Sequence, residues 1–160
     1  MSSLQGSVVG AGDAVRMLPP ERVCVIVDEG VRRLPIDGAR VLVVVPDHTR
    51  SAPMGLVFPA VLQALAARAR SVEVMVALGT HRPERESDVR ERLGLGGDRS
   101  IPVHQHEWDR DDALREAGCI SGGEIAELSE GLFKQDVCVR ANRRLFEVDH
   151  VLLVGPVFPH

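Results

Sequence analysis

Five apolar residues, Val41–Val45, run without interruption into Pro46 and then into four polar residues, Asp47–Arg50. A continuous apolar run of mostly β-branched residues is typical of a strand buried on both faces of a parallel sheet. Pro46 has no N–H to donate, so the strand is expected to end there. Ligands bind at the carboxyl ends of strands in open parallel sheets, and the pattern therefore predicts the floor of a site at this point.

Patterned stretches on either side of this run predict further strands and helices. Arg22–Asp28 alternates and predicts a first strand, with Val31–Ile36 returning as its hairpin partner. Met54–Arg70 is rich in alanine and leucine, which favours a helix packed on a sheet, although Pro59 starts or kinks its first turns. The other predicted elements are a strand at Val72–Leu78, a charged helix at Pro83–Leu93, and strands at Ile101–His106, Asp136–Ala141 and His150–Val154.

The order strand–helix–strand–helix–strand predicts an α/β fold. We expect a mainly parallel, Rossmann-like sheet flanked by helices, with β-rich additions after residue 100. Residues 1–21 predict a loosely ordered N-terminal segment, and residues 22–160 a single α/β domain. Within the additions, Glu124–Leu128 (EIAEL) is compatible with a short helix or a strand. Gly122-Gly123 is interpreted as a turn, because neither GxGxxG nor GxxxxGK is present.

Charge and cysteine usage narrow the class of protein. The 160 residues carry a net charge of −4, which gives no indication of nucleic acid or an anionic membrane as partner. No apolar run approaches the roughly 20 residues of a membrane helix, and the first residues lack a signal-peptide pattern. Cys24, Cys119 and Cys138 have no CxxC spacing and are interpreted as free structural thiols of a cytoplasmic protein.

Three predicted strands end in short polar phrases, which a parallel sheet brings to one edge. The phrases are Pro46–Arg50 (PDHTR), Gly79–Pro83 (GTHRP) and Gly155–His160 (GPVFPH). His81 and His160 would supply two imidazoles, which exchange protons near neutral pH. Arg50 offers a planar fork for a carboxylate or phosphate. Asp47 is suited to hold Arg50 or a ribose hydroxyl, and Thr49 a phosphate.

Several of these residues have simpler interpretations. His81 could cap the helix that follows it, and His48 could be an ordinary loop residue. His104 and His106 alternate along a predicted strand, and a surface strand is favoured over a metal pair because no third ligand lies nearby in the sequence. The charges between Pro83 and Arg92 are interpreted as a solvated helix face.

The phrases, taken in this order, resemble the N-terminal domain of the lactate racemase family. The resemblance rests on DHTR, GTHRP and Asn142–His160 (NRRLFEVDHVLLVGPVFPH), and covers roughly Arg22–His160. It implies a nickel-pincer nucleotide (pyridinium-3,5-bisthiocarboxylic acid mononucleotide nickel) and racemisation or epimerisation of a small, lactate-type 2-hydroxy acid by proton-coupled hydride transfer. It also implies roles for matching residues: cofactor binding by Asp47, His48, Thr49 and Arg50, substrate binding by Arg50, and acid/base catalysis by His81 and His160.

The sequence does not include a stretch that follows the final histidine phrase in the family. The family's cofactor-bearing lysine follows that final histidine in a Ser-Gly-Gly-x-Lys stretch, whereas the single lysine here is Lys134. We therefore expect an N-terminal fragment of a longer two-domain protein, with a C-terminal domain of the same protein as partner and no activity in the fragment alone. One alternative is a non-catalytic α/β module that binds a nucleotide or anion at the same edge. A histidine-dependent hydrolase is less favoured, because the chain has no G-x-S-x-G.

Overall fold

The computed structural model of the chain describes residues 8–13 and 15–157. Its helices are α1 (Pro20–Arg32), α2 (Met54–Ala66), α3 (Glu86–Arg92) and α4 (Gly122–Leu128), with 3₁₀ turns at Asp111–Ala113 and Arg143–Phe146. Its strands are β1 (Arg40–Pro46), β2 (Ser71–Ala77), β3 (Val103–Gln105), β4 (Leu114–Ile120), β5 (Val137–Asn142) and β6 (His150–Leu153). No helix in this part of the chain is both long and apolar enough to cross a membrane.

A four-stranded parallel sheet with strand order β3-β2-β1-β6 carries the fold. Along its whole length, β1 pairs with β2, from Arg40 opposite Ser71 to Pro46 opposite Ala77. On its other side β1 pairs with β6, where Val41 lies opposite His150. The predicted α/β fold is confirmed, with a mainly parallel sheet, flanking helices and β-rich additions after residue 100. The carboxyl ends of the four strands consequently lie along one edge.

Alternation along the strands decides which side chains enter the main core. Val41, Val43 and Val45 of β1 join apolar residues of β2 and of the first three helices in one buried cluster. Phe58 and Leu65 of α2 are fully buried in it. The three helices therefore pack on one face of the sheet and hold β1 in place.

The segment after Pro19 is a helix, so the predicted strand at Arg22–Asp28 and its hairpin partner at Val31–Ile36 are wrong. Pro20 occupies the first helical position, where a missing N–H is not needed, and Arg32 pairs with Asp28 one turn earlier. The less exposed apolar residues of this segment recur at helical spacing, and α1 packs on α2. That packing outweighs the β propensity of the valines.

The additions after residue 100 contain a second, antiparallel sheet of β4 and β5. The predicted strand at Asp136–Ala141 corresponds to β5, whereas β4 was not predicted. Gly122-Gly123 begins the short helix α4, which Ser121 caps, and is not a turn. Cys119 lies directly opposite Cys138 across the two strands, and they form a disulfide.

The interpretation of the cysteines as free core thiols is therefore wrong. Two of them are bonded to each other, and the third, Cys24, is free but exposed. The spacing of cysteines along a sequence carries no information on the register of two strands, and this register is what brings the pair together.

Two predicted elements differ in detail. The helix α3 begins at Glu86 and not at Pro83. The strand β6 lies at the edge of the sheet, and its residues Val151 and Leu153 are exposed, so it is not buried on both faces. Of the predicted N-terminal segment, residues 1–7 lie outside the described part of the chain, and α1 already begins at Pro20.

Candidate functional site

The ends of β1, β2 and β6 line one open cleft of about 1010 Å³. Asp47 and Arg50 enter it from the loop after β1, and His81 enters it from the loop after β2. The stretch Leu153–Val157 forms the third wall, after β6. The described parts of the three strand-end phrases are thus brought to one place, because parallel strands end at the same edge of the sheet.

The Asp47 side chain is buried at the floor of the cleft, with the residue only 3% exposed. One carboxylate oxygen, Oδ1, accepts hydrogen bonds from the Thr49 hydroxyl at 2.6 Å and from the Thr49 N–H at 3.2 Å. The other, Oδ2, contacts Nδ1 of His81. Burial raises the pKa of Asp47, but the hydrogen bonds from Thr49 and His81 outweigh it, and the pKa lies below its ordinary value. Asp47 therefore holds Thr49 and His81 and not Arg50, the first of its two predicted partners; the second, a ribose hydroxyl, stays a prediction.

His81 links the buried carboxylate to the cleft. Its side chain is 52% exposed, and Gly79 two residues earlier has φ +59°, a conformation that favours glycine and lets the chain turn after β2. An ionised carboxylate only accepts hydrogen bonds, so Nδ1 of His81 carries the proton between them. Nε2 is then free to accept a proton from a ligand. His81 does not cap α3, whose N-cap residue is Arg85.

Arg50 is the cationic group of the cleft. The residue is exposed, lines the cleft, and its guanidinium has no hydrogen-bond or ion-pair partner among the described residues. Its backbone N–H donates to the Asp47 carbonyl at 3.3 Å, which fixes the turn from which the side chain leaves. A guanidinium without an internal partner is available to an anionic ligand.

The other histidines of the described chain lie elsewhere. His48 is exposed and turns towards Glu84, 3.6 Å away, and it does not line the cleft. His104 pairs with Glu73 at 2.9 Å, and Nδ1 of His106 lies 3.2 Å from the Asn142 amide. His160, the second predicted acid/base residue, lies outside the described residues.

The interpretation of the charges between Pro83 and Arg92 as a solvated helix face is confirmed for most of them, which are exposed. It is wrong for Glu84, Arg90 and Arg92. Glu84 is buried beneath the loop that carries Asp47, and Arg92 bonds to it and to the carbonyl of Pro46. Arg90 is buried as well and pairs with Glu86. The periodicity of a short charged helix does not reveal which arginines reach back across the sheet, so no signal in the sequence marks this group.

The described residues can be compared with the nickel-pincer nucleotide implied by the resemblance. The cleft has the volume of a nucleotide site, Val44, Leu153 and Val157 offer apolar surface to a flat ring, and Arg50 offers charge to a phosphate. The described residues contain one group of side chains close enough to share a metal, Glu116, Cys119 and Cys138, but it lies on the β4–β5 sheet and its two cysteines are joined in a disulfide, so they offer no thiolate ligands. The described residues thus fit the organic part of the cofactor and supply no such set of metal ligands at the cleft.

Together the fold and the site define an α/β domain with an open cleft at the carboxyl edge of a parallel sheet, lined by an aspartate–histidine pair and an arginine. The family model of the lactate racemase N-terminal domain matches residues 25–160. The chain belongs to this family. No curated protein sequence matches it at a significant level.

Two solved structures are similar to the chain. A structural-genomics target from Thermotoga maritima is 27% identical, with a TM-score of 0.72 over 85% of this chain and 33% of its own. The lactate racemase apoprotein from Thermoanaerobacterium thermosaccharolyticum is 16% identical, with a TM-score of 0.61 over 86% of this chain and 35% of its own. At that identity the second match supports the fold alone. The chain spans about a third of the length of both proteins.

Proposed function

We propose that this chain forms the acid/base and anion-binding part of a racemase or epimerase that acts on a small, lactate-type 2-hydroxy acid. The single observation that carries the proposal is the contact between the buried Asp47 carboxylate and His81, across the cleft floor from the unpaired Arg50. Membership of the lactate racemase N-terminal domain family supports it. The activity belongs to a longer protein in which a C-terminal domain completes the site.

His81 is the first acid/base residue of this proposal. Asp47 holds the proton on Nδ1, so Nε2 takes the hydroxyl proton of the substrate and later returns it. Because Asp47 remains ionised, it also stabilises the imidazolium that forms when Nε2 is protonated. His160 is assigned the same task on the opposite face of the substrate, from its position in the matching phrase.

Arg50 binds the substrate carboxylate in this proposal, and the loop Asp47–Arg50 binds the nucleotide. A planar guanidinium forms two parallel hydrogen bonds with a carboxylate, which fixes the orientation of a small acid. A bound nickel-pincer nucleotide would supply a hydride acceptor for the carbon that bears the hydroxyl. Val44 and Leu153, which line the cleft, would offer the cofactor an apolar surface and keep water away from it.

Binding of a simple pyridinium mononucleotide tests the cleft on this chain directly. Isothermal titration with nicotinic acid mononucleotide should give binding that Arg50→Ala weakens by about tenfold or more, since one lost charged contact is worth at least 1.4 kcal/mol. Arg70→Ala is the matched control, because Arg70 is exposed at the opposite edge of the sheet, just before β2. Equal affinity in the wild type and Arg50→Ala would contradict the assignment.

Racemisation tests the role of His81. In the cofactor-loaded longer protein, His81→Ala should abolish interconversion of the lactate enantiomers, followed by chiral chromatography. His104→Ala removes a histidine that pairs with Glu73 outside the cleft and should retain activity. An active His81→Ala variant would refute the acid/base assignment.

A second candidate is a non-catalytic module that binds a nucleotide or anion in the same cleft. The exposed Arg50 in the open cleft supports it, because a guanidinium binds an anion without any acid/base group. This candidate predicts the same loss of mononucleotide binding in Arg50→Ala. It also predicts that no turnover appears in the longer protein when the pincer cofactor is supplied.

A further inference from the structure

A cluster of three polar side chains, Glu84, Arg92 and Gln105, lies beneath the loop Asp47–Arg50 and outside the lining of the cleft. The Glu84 side chain is only 7% exposed, and Arg92 Nη2 donates to its two carboxylate oxygens at 3.0 and 3.3 Å. We call these three residues the support cluster. An ion pair removed from water in this way is weak support for a purely stabilising role, because the loss of hydration offsets the attraction.

The support cluster contacts the site loop on both sides of Asp47. Arg92 Nη1 donates to the carbonyl of Pro46 at 2.9 Å, one residue before Asp47. The Glu84 carboxylate lies 3.6 Å from Nδ1 of His48, one residue after it. The backbone that carries the Asp47 side chain therefore has contacts on both sides to a single, partly buried ion pair.

The cluster is itself anchored to the edge of the sheet. The Gln105 side chain, on β3, accepts from the Glu84 N–H at 2.6 Å and donates to the Glu84 carbonyl at 2.7 Å. This bidentate contact fixes the backbone of Glu84 between β2 and α3. The Arg92 Nε is buried and has no hydrogen-bond partner in the described part of the chain, so the guanidinium is oriented by its two terminal nitrogens alone.

We propose that Arg92 and Glu84 are positioning residues. They hold the loop Asp47–Arg50 in the position in which the Asp47 carboxylate contacts both Thr49 and His81. The inference rests on the proposed function for its catalytic meaning. Neither residue lines the cleft, so they act through Asp47. The Arg90–Glu86 pair provides an internal comparison, because Arg90 lies on the same helix, is buried, and bonds to the carbonyls of Asp98 and Ile101, away from the site.

The test is the pH titration of the Asp47 carboxyl group, followed by carbon NMR in the nucleotide-free chain. Arg92→Lys keeps the positive charge but cannot reach Glu84 and the Pro46 carbonyl together. We expect the proton affinity of Asp47 to rise by about threefold or more in this variant, as its hydrogen bonds loosen. Arg90→Lys is the matched control and should leave the Asp47 titration as in the wild type. A merely structural role would affect both variants alike through global stability.

Two results would overturn the inference: an Asp47 titration in Arg92→Lys that matches the wild type, or an equal change in Arg90→Lys. If Arg92→Lys does not fold, Glu84→Asp carries the same test, because it keeps the negative charge but is one methylene too short to hold the pair in place. An unchanged Asp47 titration in Glu84→Asp then refutes the proposal. The measurement uses no nucleotide, so it can fail while Arg50-dependent mononucleotide binding succeeds, and the reverse.

Discussion

Replacing Thr49 by valine tests whether Asp47 is held as a buried carboxylate. The Thr49 hydroxyl donates to Asp47 Oδ1 at 2.6 Å, and the Thr49 N–H donates to the same atom at 3.2 Å. Valine keeps the branched shape of threonine and the backbone donor, so the substitution removes the hydroxyl alone. The site loses one of the hydrogen bonds that favour the charged form of Asp47.

The expected magnitude follows from the exposure of the donor. A hydrogen bond to a charged group contributes about 1.5–3 kcal/mol. Thr49 is exposed, so water partly replaces the hydroxyl, and we expect a loss of about 1.5 kcal/mol in the free energy of unfolding at pH 7. The pKa of Asp47 lies below its ordinary value of 3.8, so its stabilisation is complete above 3.8 and is lost as the pH falls through the folded value.

Urea unfolding followed by far-ultraviolet circular dichroism, from pH 7 down to pH 3 and below, measures both effects. Thr80→Val is the control: Thr80 is the only other threonine, lines the cleft, and its side chain makes no hydrogen bond within the described residues. The difference between wild type and Thr49→Val should shrink below pH 3.8. A loss that is independent of pH, or equal in Thr80→Val, would refute the reasoning.

Three further predictions concern the turn, the disulfide and the core. Gly79→Ala should lower the free energy of unfolding by about 1 kcal/mol because of its positive φ, whereas Gly97→Ala, without that constraint, should not; equal losses in urea unfolding would contradict this. Reduction of the Cys119–Cys138 disulfide, which spans 19 residues, should destabilise the β4–β5 sheet by about 3 kcal/mol, measured by hydrogen exchange with and without dithiothreitol; unchanged protection would count against it. Phe58→Ala should cost about 3–5 kcal/mol in urea unfolding, since Phe58 is fully buried, and a loss below about 1 kcal/mol would contradict the packing described.

The sheet was predictable where one physical signal dominates. Four of the five residues in Val41–Val45 are buried, so the continuous apolar pattern and the proline after it could not fit another element equally well. The strand predicted at Arg22–Asp28 is wrong because valine and isoleucine favour a strand by local propensity, whereas packing against α2 stabilises a helix. The strand β4 was not predicted because Leu114–Ile120 is mostly exposed and therefore lacks a clear apolar pattern. Its pairing with β5 also contains an irregularity between Glu116 and Gly118.

The candidate site, like the sheet, could be predicted from the sequence only in part. That Asp47, Arg50 and His81 lie near one another follows from strand ends that share an edge, and the sequence predicts it. The contact between Asp47 and His81 depends on loop geometry, which no periodicity describes. The partial burial of the Glu84–Arg92 pair depends on how α3 is oriented against the sheet, whereas the charges alone suggested exposure to solvent.

The position of β6 beside β1 has a consequence for folding kinetics. β1 reaches β2 across about 30 residues, whereas Arg40 is tied to Asp149 across 109 residues. Closing the longer loop costs about 1 kcal/mol more in chain entropy, so the β1–β2 pairing should form first and β6 should add late. Leu153–Val157, one wall of the cleft, begins at the last residue of β6. This wall should therefore be the last part of the cleft to form on folding and the first to detach. A ligand that bridges this wall and the loop after β1 would slow its detachment, and so couple occupancy of the cleft to the kinetic stability of the sheet edge.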